Sequence, residues 1–426
     1  MKKILSIIIL GLLVGCSFGV QGVFFKQTCN EASETTTTND LGDIFFDLKM
    51  EVLMKLSKFP SLSACIIEGD EVTWSKGYGF YDLESKKPAT ENTIYNIASI
   101  TKTITGSALM QLWEQGLFDL DENVNNYLPF NLRNPYFPDD PITFRMLLSH
   151  SSSLNSETGE NGFKYYFWFN FSGDPPLSFY PYPWLEEHLV PGGKWYYSAR
   201  WSDSYYPGQY LMYANVNFDL VAYLVEIISG KPFLEYCDEN IFLPLKMYNT
   251  SFNLSSLDID QVAIPYHWHI YKYVYINELS YILGKYAPQG KYWRMHTYPV
   301  GGLYTTVSDL SHFLIAHMNG GVWKDVRILK EETVEEMHKI QLGNNIGYGL
   351  AWQTSPISSN INITSSGHSG GTAGVHCRMF YLPSDNIGMI YFTNGDTYWV
   401  FLRMIKSKML DYIIISLLEK KDVDFD

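Results

Sequence analysis

Ser99 and Lys102 lie three residues apart in the stretch NIASITKTIT, which begins at Asn96. On a helix, residues i and i+3 share a face, so the hydroxyl and the amine would point into the same small volume. A serine hydroxyl is a poor nucleophile until a base takes its proton, and a lysine can do so when burial lowers its pKa. A serine in the first helical turn also has backbone N–H groups beside a developing oxyanion. The spacing predicts a nucleophile and its base, although Ser-x-x-Lys alone arises about once or twice by chance in such a chain.

Tyr213 and Asn215 form a second candidate pair in the stretch PGQYLMYANVNFDL. The two residues are two apart, so their side chains point the same way in an extended or turn segment. The tyrosine could relay the proton of the serine, and the asparagine amide could hold a substrate carbonyl or the lysine. Tyr275 and Asn277 have the same spacing, but they lack a preceding Pro-Gly turn and a following helical pattern. We therefore assign the second segment of the site to Tyr213 and Asn215.

The stretch GHSGGTAG contains a third candidate segment, with His368, Gly370 and Gly371. Its small residues would let a substrate lie along the strand edge as an added strand. The N–H groups of Gly371 and Ser99 would form the two halves of an oxyanion hole. Each motif also has an ordinary structural explanation: an exposed helical pair, a core tyrosine and a glycine-rich turn. Their joint occurrence, order and context favour a catalytic site.

The three motifs resemble those of the serine β-lactamase and penicillin-binding-protein superfamily, and most closely its class C β-lactamase-like branch. The resemblance extends from about Asp47 to Leu418. Connecting stretches resemble family signatures in the same order: KGYGFYDLESKKPATENTIYNIASITKTIT, ITFRMLLSHSSSL, PGQYLMYAN, ISGKPFLEY, IFLPLKM and GGLYTTVSDLSHFL.

The resemblance implies a serine hydrolase that works through an acyl-enzyme on Ser99, without a cofactor. It implies activity of the D-alanyl-D-alanine carboxypeptidase, D-aminopeptidase or esterase type, on a small molecule or short peptide with an acyl carbonyl. The catalytic residues implied are Ser99, Lys102 and Tyr213. The substrate-binding residues implied are Asn215, His368, Gly370 and Gly371. The alternative is a catalytically inactive family member that binds peptides or serves in assembly.

His368 departs from the family pattern, because class C β-lactamases have a lysine there. A lysine is a fixed cation for a substrate carboxylate, whereas histidine is largely neutral at pH 7 and donates one good hydrogen bond. We therefore expect weak β-lactamase activity. If His368 binds substrate as a cation, affinity for carboxylate substrates should fall as the pH rises past about 6.5.

The composition excludes several classes of partner. The 426 residues are 46% hydrophobic and 18% charged, which favours a folded chain with a large core. The net charge of -14 argues against nucleic acid and anionic membrane surfaces as main partners. His267 and His269 could share a metal on one strand face, but no third ligand stands nearby in the sequence. We therefore predict no metal. His150 is predicted to order a turn, and His376 to be structural.

The N-terminus resembles an export signal over residues 1–19, with a positive start and a short apolar run. Cleavage before a lipidated Cys16 and cleavage a few residues later both remain open. The protein is thus expected to be exported, either secreted or held at the outer surface or in the periplasm, with membrane attachment only through a lipid or an uncleaved signal. The other cysteines could pair in three ways or stay free. They are Cys29, Cys65, Cys237 and Cys377.

The order of patterns along the chain predicts the fold. A polar tether at residues 20–45 leads into a domain at 46–418, and an acidic tail follows at 419–426. A hairpin is predicted around Glu68-Gly69-Asp70, helices after Ser99 and around NFDLVAYLVEIISG, and an aromatic insertion at about 155–210. Strand patterns return after about Val300, before a last helix from about Trp399. We predict an α/β (α+β) fold: an antiparallel sheet built from both chain ends and flanked by helices, with an inserted helical subdomain and the active site in the cleft between them.

Overall fold

The computed structural model describes residues 38–155, 183–276, 279–288, 297–343, 347–358, 361–397 and 400–420. The chain divides into two compact units, residues 1–49 and residues 50–426. The first is described from Thr38 onward, where helix α1 (Thr38–Ser57) begins. The predicted tether is therefore helical over its last residues, because Leu41, Ile44, Phe45 and Leu48 continue the helical spacing of apolar residues. The proposed signal, Cys16 and Cys29 lie outside the described residues.

In the described part of the second unit, the strands fall into one large sheet and three small ones. In chain order they are β1 (Ser61–Glu68), β2 (Glu71–Asp82), β3 (Lys87–Pro88), β4 (Tyr95–Asn96), β5 (Tyr266–Ile276), β6 (Leu279–Pro288), β7 (Tyr304–Thr305), β8 (Val322–Trp323), β9 (Val326–Arg327), β10 (Leu342–Gly343), β11 (Gly347–Tyr348), β12 (Gln353–Ser358), β13 (Ile361–Thr372), β14 (Val375–Leu382), β15 (Ile387–Thr393) and β16 (Gly395–Thr397).

Over the residues that the structure covers, the large sheet has nine strands in the order β10-β11-β12-β13-β14-β15-β1-β2-β3. All its neighbouring strands are antiparallel. Strand β15, near the end of the chain, pairs with β1, near its beginning, with Leu62 opposite Thr393. The hairpin of β1 and β2 turns at Gly69, whose φ is +61°. The prediction of one antiparallel sheet built from both chain ends is confirmed.

The helices of the second unit lie along the chain between β4 and β10, where β5 to β9 alternate with them, and after β16. They are α2 (Thr101–Trp113), α3 (Phe144–Leu148), α4 (Trp184–Leu189), α5 (Val216–Ser229), α6 (Phe233–Cys237), α7 (Tyr298–Gly301), α8 (Val307–Met318), α9 (Glu331–His338) and α10 (Val400–Glu419). Helix α5 ends at Gly230 in the left-handed conformation, as its sequence predicts. Much of the predicted aromatic insertion, residues 156–182, lies outside the described part of the chain.

Helix α2 is the central helix of the domain. Every residue from Thr101 to Leu112 is buried, including several threonines and Lys102. Its buried hydroxyls bond to backbone carbonyls, as Thr105 does to Pro299 at 2.6 Å. A helix enclosed on all sides keeps its position, so α2 is a rigid base for the residues that precede and begin it.

Two sequence expectations concern covalent links and membranes. Cys65, Cys237 and Cys377 are free and buried, so none of these three joins a disulfide. Within the ranges that the structure covers, no helix has the length and apolarity to cross a membrane.

Candidate active site

Ser99 lies in a 3₁₀ turn, Ala98–Ile100, that leads directly into α2. Ser99 is half-buried, whereas Ala98 and Ile100 on either side are buried. Ala98 has a φ of +44°, a left-handed conformation that costs about 1–3 kcal/mol for a residue with a side chain. The Asn96 side chain accepts the N–H of Ala98 at 3.0 Å and thereby helps to hold this turn. The strained turn brings the Ser99 hydroxyl to the surface of an otherwise buried segment.

Lys102 is fully buried one turn after Ser99. Its Nζ donates to the Val300 carbonyl at 2.6 Å and to Ser99 Oγ at 3.2 Å. It also lies 5.1 Å from the centroid of the Tyr213 ring. The predicted pair therefore meets in space, with the amine directed at the hydroxyl and fixed by a carbonyl of α7.

The turn at His150 supports the second motif. The His150 carbonyl accepts the N–H of Met212 at 2.7 Å, and its Nδ1 accepts the N–H of Ala214 at 3.2 Å. The ring lies 4.3 Å from that of Tyr213. Burial, followed by the charge of Lys102, holds the pKa of His150 well below its ordinary value, so the ring is neutral. His150 orders its turn as predicted and also holds the backbone on both sides of Tyr213, at Met212 and at Ala214.

The third motif lies on β13, beside an open strand edge. Strand β12 pairs with β13 only up to Gly367, opposite Gln353. From His368 to Thr372, β13 pairs with β14 on its other side. Gly371 is exposed. A substrate of extended shape could hydrogen-bond to this edge as an added strand.

His368 is buried, and protein groups contact both of its ring nitrogens. Nδ1 lies 2.6 Å from the Ser369 carbonyl, which can only accept, so Nδ1 carries the proton. Nε2, 2.7 Å from the Tyr348 hydroxyl, then accepts from it. Burial, and secondarily the charge of Lys102, lowers the pKa of His368 to about 3. The hypothesis that His368 grips a carboxylate as a cation is wrong for this arrangement, because the ring is neutral at physiological pH.

The neutral state of His368 predicts a flat pH response. Between pH 5.5 and pH 8 the ring stays uncharged, because its pKa of about 3 lies below that range. We therefore expect the KM for a carboxylate-bearing substrate to change less than about twofold across the range, measured against an uncharged ester as control. A KM that rose about tenfold above pH 6.5 for the carboxylate substrate alone would contradict the assignment.

The two glycines of the third motif differ in the space around them. A Cβ on Gly370 would lie 2.3 Å from the Ile97 carbonyl oxygen and 2.4 Å from Cys377 Sγ, whereas one on Gly371 would meet nothing closer than 3.7 Å. We expect Gly370→Ala to lower the free energy of unfolding by about 1–3 kcal/mol and Gly371→Ala by less than about 0.5 kcal/mol. Chemical denaturation of both variants tests this. Equal stability of the two would show that β13 does not pack against the Ser99 turn at Gly370.

The three motifs surround one small volume. The Tyr213 ring lies 6.3 Å from the His368 ring, and the Tyr348 ring lies 4.8 Å from that of His150. Lys102 influences the pKa of both histidines, so it lies within electrostatic reach of the second and third motifs. This is a serine beside a buried lysine, with a tyrosine ring next to the lysine and a strand edge alongside.

Residues 46–405 match the family model described as Beta-lactamase, which is most of the chain. The chain belongs to the beta-lactamase family. The predicted membership of the serine β-lactamase and penicillin-binding-protein superfamily is therefore confirmed, and with it the prediction of a serine hydrolase.

Similar proteins agree with this assignment to the beta-lactamase family. The chain is 25% identical to penicillin-binding protein 4* of Bacillus subtilis over 77% of its own length and 67% of that protein. It spans about two thirds of the length of the curated relatives that it matches. The structure of an octameric penicillin-binding protein homologue from Pyrococcus abyssi is 26% identical, with a TM-score of 0.66 over 89% of this chain and 78% of that one. D-amino acid amidase from Ochrobactrum anthropi, 19% identical, shares the fold with a TM-score of 0.66 over 88% and 99% of the two chains.

Some residues of this beta-lactamase-family site carry no obvious sequence signal. Tyr348 lies in a stretch whose pattern indicates only a strand, yet it donates to His368. Val300 contributes a backbone carbonyl, which any residue type could supply. His267 is buried, and the His269 side chain lies outside the description. Across the residues described, no three His, Cys, Asp or Glu side chains are grouped to hold a metal.

Proposed function

We propose that the protein hydrolyses an ester or amide by two-step acyl transfer through Ser99. The observation that carries this proposal is the 3.2 Å contact between Lys102 Nζ and Ser99 Oγ at a fully buried lysine. A base within hydrogen-bond reach of a serine is the geometry of an activated nucleophile.

In the first step, Ser99 Oγ attacks the carbonyl carbon and its proton passes to the base. Lys102 and Tyr213 share this proton transfer, one as base and the other as relay, since the amine lies beside both. The proton then goes to the leaving amine or alcohol as its bond to carbon breaks. In the second step, water attacks the acyl-serine and the proton returns to Ser99.

The remaining motif residues would bind the substrate. The N–H groups of Ser99 and Gly371 would stabilise the oxyanion, a contribution of about 10²–10³-fold per donor. Asn215 would orient the substrate carbonyl, and Gly370 lets β13 approach the Ser99 turn. His368 would act indirectly, by fixing the strand edge through Ser369 and Tyr348.

Of the D-alanyl-D-alanine carboxypeptidase, D-aminopeptidase and esterase types, the last two fit this site best, because a carboxypeptidase substrate, like a β-lactam, carries a carboxylate. A neutral His368 offers no fixed cation for the carboxylate of a β-lactam. Small uncharged esters and amides, or short peptides laid along the edge of β13, need no such cation.

The test is labelling of Ser99 followed by a substrate panel. The purified protein should react with a fluorophosphonate or a fluorescent penicillin, with the adduct on Ser99 by peptide mass spectrometry. Short-chain p-nitrophenyl esters, D-alanyl-D-alanine peptides, D-amino acid amides and nitrocefin then rank the activities, and nitrocefin should be among the slowest. Binding of cell-wall peptides without any Ser99 adduct would favour the inactive alternative instead.

We also propose that the protein is exported, since residues 1–19 have the pattern of an export signal. Fractionation of cells expressing the full chain tests export, with deletion of residues 1–19 as the control. Incorporation of labelled palmitate that is lost in Cys16→Ser would support lipid attachment at Cys16.

A further inference from the structure

A chain of hydrogen bonds runs through the interior behind the candidate site. Ser107 Oγ on α2 lies 3.1 Å from His317 Nε2 on α8. His317 Nδ1 lies 3.2 Å from His338 Nε2 at the end of α9. His338 Nδ1 lies 2.8 Å from Ser366 Oγ on β13 and 3.0 Å from the Tyr381 hydroxyl on β14. We call these five residues the histidine chain.

Both imidazoles of the histidine chain are neutral. Burial lowers the pKa of His338 to about 3, and burial together with the neighbouring His338 holds the pKa of His317 well below its ordinary value. The Trp352 ring covers them, at 4.5 Å from His317 and 4.3 Å from His338. Each ring bonds to the other ring and to hydroxyl groups. The two histidines are therefore held by hydrogen bonds between uncharged groups, without an ion pair.

One proton therefore lies between His317 Nδ1 and His338 Nε2. The nitrogen that carries it determines which group donates in every hydrogen bond of the histidine chain. When His317 Nδ1 carries it, His317 Nε2 accepts from Ser107 and His338 Nδ1 donates toward Ser366 and Tyr381. When His338 Nε2 carries it, every bond reverses: His317 donates to Ser107, and His338 accepts from Ser366 or Tyr381. Each arrangement satisfies both rings, and each links the hydroxyl at one end to those at the other.

The two ends of the chain lie on the two elements that form the site. Ser107 follows Lys102 by five residues on α2, and Ser366 precedes His368 by two residues on β13. Residues two apart on a strand face the same side, so Ser366 and His368 face the same side of the sheet. The distance between α2 and β13 sets the distance between Ser99 and the third motif.

We propose that the histidine chain is a positioning element that fixes β13 against α2 for acylation of Ser99. The inference rests on the proposed function at Ser99. Loss of the Ser107 hydroxyl leaves His317 Nε2 without its partner. Loss of the Ser366 hydroxyl leaves His338 Nδ1 bonded only to Tyr381 on β14, so the chain no longer ties β13 to α2. A misplacement of about 1 Å in a reacting group costs on the order of 10²-fold in rate.

The test is a double-mutant cycle on the two ends of the chain, Ser107→Ala and Ser366→Ala, read as the rate of fluorophosphonate labelling of Ser99. We expect each change to slow labelling by about three- to tenfold and the double variant to be slowed far less than the product, because both remove the same linkage. Ser366→Thr keeps the hydroxyl and should restore the rate.

His312→Gln is the matched control. His312 lies on α8 as His317 does, and its half-buried ring bonds to the Leu245 carbonyl at 2.8 Å and stacks on Trp323. We expect it to lower the melting temperature and to leave the labelling rate within about twofold. Effects of the serine changes that multiply, or an equal loss in His312→Gln, would overturn the inference. Absence of Ser99 labelling in the unmodified protein would overturn the proposed function and this inference together.

Discussion

Replacing Ser99 by alanine should abolish fluorophosphonate labelling and lower kcat/KM for an activated ester by at least about 10⁴-fold, the scale of nucleophile removal in serine hydrolases. The change deletes the Ser99 hydroxyl oxygen, to which Lys102 Nζ donates at 3.2 Å. The remaining N–H groups and the strand edge can bind substrate but form no acyl-enzyme. The loss should fall on kcat, since the binding groups stay in place.

The fold should tolerate Ser99→Ala. Ser99 is half-buried, and Lys102 keeps its 2.6 Å bond to Val300. We expect the free energy of unfolding to change by less than about 1 kcal/mol. The control is Ser311→Ala, which removes a buried helical hydroxyl bonded to the Ser308 carbonyl and should leave labelling intact. Full hydrolysis of p-nitrophenyl acetate by Ser99→Ala would show that another group is the nucleophile.

The sheet could be predicted from the sequence because its signals are local. A Gly69 turn between two apolar runs defines the β1–β2 hairpin, and strand patterns after Val300 supply the rest. The pairing of β15 with β1 followed from the position of strand patterns at both chain ends. The tether predicted up to residue 45 overlaps α1, which begins at Thr38, because the polar, threonine-rich text before Gly42 resembles a tether and helix ends are weakly marked in sequence.

The site could be predicted only as far as its motifs. Ser99 and Lys102 are three residues apart on one element, so helix geometry alone brings them together. The left-handed Ala98 carries no sequence signal, since glycine is the residue expected at such a φ. His150 and Tyr348 act through tertiary contacts with segments far away in the chain.

The charge state of His368 is a property of the site that could not be predicted from the sequence. Its ordinary pKa of about 6.5 made a cation at mildly acidic pH a fair expectation. Burial, the charge of Lys102 and the Tyr348 hydroxyl determine the outcome, and none of the three can be seen in the local sequence. The residue types of the third motif predicted the position of the strand edge, whereas the charge state of His368 depends on how the ring is packed.

Replacing Lys102 by methionine should separate activity from stability. We expect the labelling rate to fall by about 10²–10⁴-fold, the usual contribution of a general base. Methionine fills a similar volume without a charge, and replacing a buried charged group by an apolar one is often neutral or stabilising. The carbonyl of Val300 loses its 2.6 Å donor, which offsets part of that gain. The melting temperature should therefore be unchanged or higher, and differential scanning calorimetry measures it.

Lys102→Met should also change the pKa values of His150 and His368. The charge of Lys102 helps to lower the pKa of His150 and His368, so its removal should raise both pKa values, while burial keeps them below the ordinary range. Lys55→Met, at a lysine whose side chain is 79% exposed, is the matched control and should change neither activity nor these values. NMR titration of the imidazole resonances follows the two rings. A Lys102→Met variant that labels at the normal rate would assign the base to Tyr213 acting without the lysine. A variant that labels slowly, but in which the pKa values of His150 and His368 do not change, would place the charge of Lys102 away from the third motif.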